Sequence, residues 1–457
     1  MLYGLIGEHL GHSFSRDIHG RLSSDPYELC ELRPDELGDF LRRRDFRGIN
    51  VTIPYKQAVM PYLDELEESA RGAGAVNTIV NRDGKLRGYN TDYDGFIALA
   101  RHAGIDFGGA RVVILGAGGA AKAVRAAALA MGAAELVNAV RTVRGDGQLP
   151  IDDPATYDGC NVLVNATPVG MYPKWQEAPI ELQALLPRMQ LRGVLDCIYN
   201  PLRTPLVLDA RSLAGSPALG DAAGTVAARG HVNGRGPRES VGGTSEARST
   251  AASPSTVLPA EGGLMMLVAQ AVKAREYFTG ESIPDEVIEK EYRHLLNTKQ
   301  NIVLCGMPSS GKSTVAKALA ERTGRRVVDT DEIVALQADM EIPEIFAREG
   351  EQGFRARETV AIESIASEQG LIIATGGGAV LKPENVRMLR SNGLVCLLER
   401  DLALLTPGGG RPLAPDRSAL RALWHRRLPA YLAAADVRID NNGTLDHTIS
   451  QLLSYVD

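Results

Sequence analysis

Two phosphate-binding signatures of different type occur in one chain, and each dictates a strand, a glycine turn and a helix in that order. Residues 306–314 read Gly-Met-Pro-Ser-Ser-Gly-Lys-Ser-Thr after the apolar run Asn301-Ile-Val-Leu-Cys. In this pattern the backbone N–H groups of the glycine loop face phosphates, a lysine reaches the β and γ oxygens, and the hydroxyl after it ligates Mg²⁺. The candidate residues are Gly306, Ser309, Gly311, Lys312, Ser313 and Thr314. Nearly two hundred residues earlier, Gly116-Ala117-Gly118-Gly119-Ala120 follows Arg111-Val-Val-Ile-Leu and opens an alanine-rich helical stretch. That arrangement suits a dinucleotide pyrophosphate resting on a helix N-terminus. Two nucleotide sites of different kind imply two reactions.

At 457 residues the chain exceeds what one hydrophobic core organises and calls for two or three domains. Apolar runs such as Gly48-Ile-Asn-Val-Thr-Ile and Val162-Leu-Val-Asn alternate with helical stretches, which predicts an α/β fold with parallel sheets. No internal repeat is present. The pattern collapses over 213–260 into Gly, Ala, Ser, Pro, Thr and Arg, a composition that cannot build a core and is expected to be disordered. Two amphipathic helices over 261–296 and a connector at Asn297–Gln300 are expected before the second glycine loop.

The charge balance of −6 offers nucleic acid and anionic membranes no general attraction, so small molecules are the expected partners. Five scattered cysteines without CxxC spacing argue against a disulfide framework or zinc site and for a reducing cytoplasm. No apolar run approaches the roughly 20 residues that span a bilayer.

After the strand Glu135-Leu-Val-Asn-Ala-Val come Arg141 and Thr142, where an NAD enzyme places a carboxylate. A guanidinium there favours a 2′-phosphate and hence NADP. Upstream, His12-Ser13-Phe14-Ser15, Asn50-Val-Thr52-Ile-Pro-Tyr-Lys56, Gly74-Ala-Val-Asn77 and Gly88-Tyr-Asn-Thr-Asp92 gather hydroxyl, amide, ammonium and carboxylate groups, an inventory suited to a hydroxylated carboxylic acid.

These segments, with Asn165-Ala-Thr-Pro-Val-Gly-Met171, Asp196-Cys-Ile-Tyr-Asn-Pro and Leu264-Met-Met266-Leu-Val-Ala-Gln270, resemble shikimate dehydrogenase over about residues 1–296. The resemblance implies a substrate domain over 1–95, completed by helices over 261–296, and a Rossmann NADP domain over 96–212. It implies NADPH-linked interconversion of 3-dehydroshikimate and shikimate with Lys56 and Asp92 at the reacting hydroxyl. Ser13 and Ser15 would take the carboxylate, Thr52, Asn77 and Gln270 the ring hydroxyls, and Gly170, Met171, Gly263 and Met266 the nicotinamide. A lysine in that place can protonate a developing alkoxide and stabilise its charge. The family's Asn-Arg-Thr triplet is here Val140-Arg141-Thr142, without the asparagine.

Downstream of the second glycine loop, Val328-Asp329-Thr-Asp331, Gly350-Glu-Gln-Gly-Phe-Arg355, Thr375-Gly-Gly377-Gly378, Gly410-Arg411-Pro and Arg427-Leu-Pro-Ala-Tyr resemble shikimate kinase over about 298–457. The resemblance implies a P-loop domain in which Asp329 and Ser313 serve Mg²⁺ and Asp331 addresses the reacting hydroxyl. Arg355 and Arg427 would clamp the carboxylate, and Gly377 and Gly378 would approach the ring. Lys312 and Arg411 would neutralise the transferred phosphoryl group, Arg411 belonging to a lid at about 402–418.

The expected protein is a bifunctional cytoplasmic enzyme of aromatic amino-acid precursor synthesis, using NADPH, ATP and Mg²⁺. Three alternatives stay open on the residues alone. Quinate would fit the same serines, the dehydrogenase half could be damaged by 213–260, or that half could only sense ligand.

Overall fold

The computed structural model describes residues 2–11, 13–213, 258–407 and 413–456. The stretch expected to be disordered therefore falls largely outside the described residues, as do Arg411 and the middle of the expected lid.

The first sheet comprises β1 (Tyr3–Gly7), β2 (Tyr27–Glu31), β3 (Gly48–Val51), β4 (Glu65–Leu66), β5 (Thr78–Arg82) and β6 (Lys85–Tyr89), in the order β2-β1-β3-β5-β6-β4. Helices α1 (Ser15–Leu22), α2 (Leu37–Arg43), α3 (Glu68–Ala73) and α4 (Asp92–His102) accompany it. The sheet is mixed: β1 pairs in parallel with β2 and β3, and β4 with β6, whereas β5 runs antiparallel to both β3 and β6. The β5–β6 reversal has a local cause. Asp83 and Gly84 both have positive φ, 54° and 79°, and make the two-residue turn whose twist matches a hairpin.

The second sheet comprises β7 (Arg111–Leu115), β8 (Glu135–Val140), β9 (Gln148–Pro150), β10 (Val162–Asn165), β11 (Gly193–Asp196) and β12 (Ala260–Glu261), ordered β12-β11-β10-β7-β8-β9 and parallel throughout. Its central strands β7, β10 and β11 are buried on both faces, with Val112, Val113, Ile114 and Leu115 of β7 fully inaccessible, while the edge strand β9 is largely exposed. Helices α5 (Gly119–Ala130), α6 (Leu182–Leu185), α7 (Pro205–Ser212), α8 (Leu264–Thr279) and α9 (Asp285–Lys299) complete the unit. After α7 the chain returns as β12 beside β11, with Ala260 opposite Val194, so both described flanks of the low-complexity stretch belong to one packed body. Helix α8 lies along α4 and α1, which returns the chain to the first sheet.

The third sheet comprises β13 (Asn301–Cys305), β14 (Val327–Asp329), β15 (Ile372–Ala374), β16 (Gly393–Glu399) and β17 (Val437–Asp440), parallel in the order β14-β15-β13-β16-β17. It is flanked by α10 (Lys312–Thr323), α11 (Thr330–Ala338), α12 (Ile342–Ile365, kinked at Gly350), α13 (Pro383–Asn392), α14 (Arg417–Ala434) and α15 (Leu445–Leu453). The expected connector at Asn297–Gln300 is shorter than the sequence suggested. Helix α9 continues to Lys299, helped by Thr298 Oγ1 donating to the Leu295 carbonyl at 3.1 Å, and β13 begins at Asn301. Only Gln300 therefore separates the last dehydrogenase helix from the first kinase strand.

Candidate active sites

In the first body, Lys56 lies in the turn after β3 and Asp92 is the first residue of α4. Lys56 Nζ donates to Asp92 Oδ2 at 2.7 Å, and Asn77 Nδ2 donates to Asp92 Oδ1 at 2.9 Å. The carboxylate is 3% exposed and the lysine 24%, so the pair opens to solvent through the ammonium. Asn77 Oδ1 in turn accepts from Thr91 N at 2.8 Å, which fixes its amide orientation toward Asp92.

A chain of hydrogen bonds runs from this pair across the sheet. Thr78 Oγ1 donates to Asn77 Oδ1 at 3.1 Å, and Asn50 Nδ2 donates to Thr78 Oγ1 at 3.0 Å. Tyr27 OH then donates to Asn50 Oδ1 at 2.8 Å and also interacts with Ser15. Ser15 and Ser13 meet at 3.1 Å, at the amino end of α1. Gln270, on α8, packs over Gly95 one turn beyond Asp92, where an added Cβ would meet the Gln270 side chain at 2.7 Å. Thr52 follows the last residue of β3 on the way to Lys56, its N–H bonded to the Ile6 carbonyl at 3.0 Å. The fold thus gathers the polar residues read from sequence along the carboxyl edge of β3 and its neighbours. Tyr27 was missed, because a lone tyrosine in a short strand carries no local signal.

The dinucleotide turn has the geometry its glycines require. Gly116 has φ of 102°, and a Cβ there would stand 3.0 Å from Thr167 Cγ2 and 3.3 Å from the Ala166 carbonyl. Gly118 is the N-cap of α5, so the helix N-terminus faces the same turn. Asn138 Nδ2, from β8, donates to the Gly116 carbonyl at 2.7 Å and pins the turn. The family's asparagine is absent at Val140, and an asparagine two residues earlier holds the turn instead. Arg141 and Thr142 lie exposed just past β8. Gly263 abuts the Cys197 carbonyl at the start of α8, whereas Met266, expected at the nicotinamide, is 3% exposed and packs with Phe96 and Phe107 in the apolar cluster. Gly170 has φ of 100° and Met171 is 38% exposed.

In the third body the phosphate loop joins β13 to α10. Gly306 has φ of 143°, with the Leu398 carbonyl 2.9 Å from where a Cβ would lie, and Gly311 has φ of 93°. Lys312 Nζ arches back over the loop to the carbonyls of Gly306 and Met307, each at 3.0 Å, and Ser309 Oγ donates to the Thr406 carbonyl at 2.7 Å. Ser313 Oγ donates to Asp329 Oδ2 at 2.8 Å. The other Asp329 oxygen caps α11 by accepting from Asp331 N at 3.0 Å.

Beside this loop the Gly376-Gly377-Gly378 turn is threaded between charged side chains. A Cβ on Gly376 would meet Asp331 Oδ1 and Glu358 Oε1 at 2.5 Å, and one on Gly378 would collide with the Arg355 guanidinium. Arg355 Nη1 donates to Glu358 Oε2 at 2.7 Å. Burial pushes the Glu358 carboxyl above its ordinary range, and Arg355 opposes that shift. Arg427 is 2% exposed, and its Nη1 donates to the Gly377 carbonyl at 2.8 Å, which also accepts from Tyr431 OH. Its Nε and Nη2 have no hydrogen-bond partner among the described residues, which leaves the side of the guanidinium that pairs with both oxygens of a carboxylate. Asp331, Arg355, Arg427, Gly377 and Gly378 are thus brought together. Glu358, in the same resembling segment as Arg355, was assigned no role, although its spacing of three from Arg355 along α12 is a pairing signal.

Residues 5–79 match the family model of the shikimate dehydrogenase substrate binding domain, and residues 308–457 match that of shikimate kinase. The shikimate dehydrogenase (NADP(+)) of Halothermothrix orenii is 39% identical over 249 residues, covering 47% of this chain and 86% of that protein. The chain belongs to the shikimate dehydrogenase family and carries a shikimate kinase domain. A shikimate dehydrogenase (NADP(+)) of Clostridium perfringens is 30% identical and covers 64% of the chain and 98% of its own length. Among solved structures, shikimate dehydrogenase 1 of Peptoclostridium difficile has a TM-score of 0.51 at 28% identity, covering 64% of this chain and 97% of that one. A chorismate mutase/shikimate 5-dehydrogenase fusion protein of Clostridium acetobutylicum also has a TM-score of 0.51, at 29% identity, covering 64% of this chain and 96% of that one.

The dehydrogenase and kinase units are both enzymes of shikimate chemistry, and their residues fit the groups such enzymes use. Gly116 and the α5 N-terminus leave the close approach a pyrophosphate needs. Among the described residues no cluster of three or more His, Cys, Asp or Glu forms a metal cage. Ser313 Oγ and the Asp329 carboxylate, 2.8 Å apart, are oxygen donors of the kind Mg²⁺ takes beside phosphates and water. No helix of the described residues is long and apolar enough to cross a membrane.

Proposed function

We propose that the dehydrogenase unit reduces 3-dehydroshikimate to shikimate with NADPH, and that the kinase unit phosphorylates shikimate to shikimate 3-phosphate with ATP and Mg²⁺. The observation that carries the first half is the Lys56–Asp92–Asn77 cluster. Its only partly exposed member is the ammonium, so the group that faces a ligand is a proton donor. NADPH supplies the hydride when bound. Lys56 Nζ then gives a proton to the oxygen on which negative charge develops, while Asp92 holds the amine in line and accepts from a neighbouring ring hydroxyl. Ser13 and Ser15 take the substrate carboxylate, Thr52 and Gln270 the remaining hydroxyls, and Arg141 the 2′-phosphate.

In the kinase unit, Arg427 offers its unpaired edge to the same carboxylate and Arg355 adds a second cation. That clamp directs the ring over Gly377 and Gly378 and turns the 3-hydroxyl toward Asp331. Asp331 orients the hydroxyl and receives its proton, and Lys312 with Arg411 balances charge on the transferred group. Shared recognition of one acid supports the order, since the first product is the second substrate. The pairing of β12 with β11 and the complete Lys56 cluster support a working dehydrogenase rather than one damaged between its flanks.

The test is a coupled reaction of the purified chain with 3-dehydroshikimate, NADPH, ATP and Mg²⁺, read by mass. Shikimate 3-phosphate is the expected product. Phosphorylation of added shikimate without any consumption of NADPH would reject the first half.

A further inference from the structure

In the doubly wound dehydrogenase sheet, ligands lie outside the carboxyl ends of the strands. Two loops leave that edge side by side: residues 166–178 after β10 and residues 197–204 after β11. The first begins against the dinucleotide turn, because Thr167 bounds the space beside Gly116. Asp196 ties the loops together, accepting from Asn165 Nδ2 at 3.0 Å and Thr204 Oγ1 at 2.6 Å.

The far ends of both loops are built into the kinase unit. Trp175 is 8% exposed and shares one apolar cluster with Ile362, Ile365 and Met388 of the kinase. Tyr172 OH donates to the Ala366 carbonyl at 2.9 Å and accepts from Asn392 Nδ2 at 3.0 Å. Asn392 Oδ1 accepts from Leu202 N of the second loop at 3.0 Å, so one kinase side chain clasps both loops. Arg203, buried, donates to the carbonyls of Arg390 at 3.1 Å and Gly393 at 2.9 Å, and its own N–H bonds to the Ser391 carbonyl.

The contact is asymmetric. Asn392 and Gly393 lie where β16 begins, at the amino edge of the kinase sheet, whereas the phosphate loop leaves the opposite, carboxyl edge of β13. The kinase therefore meets the cofactor edge of the dehydrogenase with the edge remote from its own nucleotide.

We propose that the kinase unit braces the dehydrogenase cofactor site, with Tyr172, Trp175 and Arg203 on the loops and Asn392 across the interface acting as positioning residues. Resting on the dehydrogenase reading above, the brace makes NADPH affinity depend on residues of the kinase, while phosphoryl transfer is independent of the loops. Full-length Trp175→Ala and Asn392→Ala are the decisive variants. Each should raise KM and Kd for NADPH by about three- to tenfold, the range that one or two lost interface hydrogen bonds or an equivalent packing loss produces. Kinase kcat and KM for ATP should stay within about twofold of the parent and report that the fold is intact.

Unchanged NADPH constants in both variants would overturn the brace, as would parallel loss of both activities in every variant. Tyr172→Phe, which keeps the ring and removes only the hydroxyl, covers the case in which the other two fail to fold. It should weaken NADPH about two- to threefold, and no change there rejects the proposal. Kd is read by isothermal titration with NADPH and no 3-dehydroshikimate present. A parent chain that binds NADPH without turnover therefore counts against the proposed reaction and leaves the brace to be judged on its own.

Discussion

The ammonium of Lys56 and the carboxylate of Asp92 meet at 2.7 Å although 36 residues separate them, one in a turn after a strand and the other at a helix start. Lys56→Ala should lower kcat/KM for reduction by about 10²- to 10⁴-fold, the usual worth of a positioned acid, and leave phosphorylation intact. Lys312→Ala should do the reverse. Spectrophotometric assays of each half read both, and loss of the two activities together from either change would contradict independent sites.

Arg427 has one side of its guanidinium bonded to the Gly377 carbonyl and the other side without a partner among the described residues. Arg427→Lys keeps the charge and removes the planar fork, so KM for shikimate should rise by about ten- to a hundredfold with ATP affinity little altered. An unchanged KM for shikimate would remove Arg427 from the carboxylate site.

Gly116 combines a φ of 102° with close neighbours at Thr167 and Ala166. Gly116→Ala introduces strain of roughly 1–2 kcal/mol and crowds the pyrophosphate approach, so NADPH should bind about tenfold more weakly. Isothermal titration checks it, with shikimate phosphorylation as the control for folding.

His19, stacked on Tyr27 with ring centroids 4.0 Å apart, is buried beside the serines at the head of α1. Burial, reinforced by the positive charge of Arg275, lowers its pKa from 6.5 to about 3, against a hydrogen bond with Asn50. The unfolded chain therefore binds a proton near neutrality that the native state refuses. This contribution to stability is complete above about pH 6.5 and is lost as pH falls toward 3, by an amount on the order of a few kcal/mol. Denaturant midpoints measured between pH 7 and 4 should fall more steeply for the parent than for His19→Phe. Parallel slopes would show that His19 is not the proton acceptor.

Much of the architecture was legible because it rests on local rules. The continuous apolar runs of β7 and β13 announce strands buried on both faces, and the glycines at 116, 306 and 311 announce turns with positive φ. The Asp83-Gly84 pair was equally readable as a hairpin, and it was the cue that the first sheet is mixed. Asn138, Tyr27 and Glu358 carry no role legible in sequence because what gives them one is a partner brought from another strand or turn: Gly116, Asn50 and the Gly376 turn.

By itself the chain of residues determined that two nucleotide-type turns exist and which ammonium, carboxylate and guanidinium groups accompany them, since these motifs are set by backbone conformations within a few neighbouring positions. How the two units meet was decided only by tertiary structure. Trp175 and Arg203 read as ordinary loop residues, yet burial of an indole and of a guanidinium is tolerable only where apolar atoms and carbonyl oxygens from the distant kinase unit arrive to receive them.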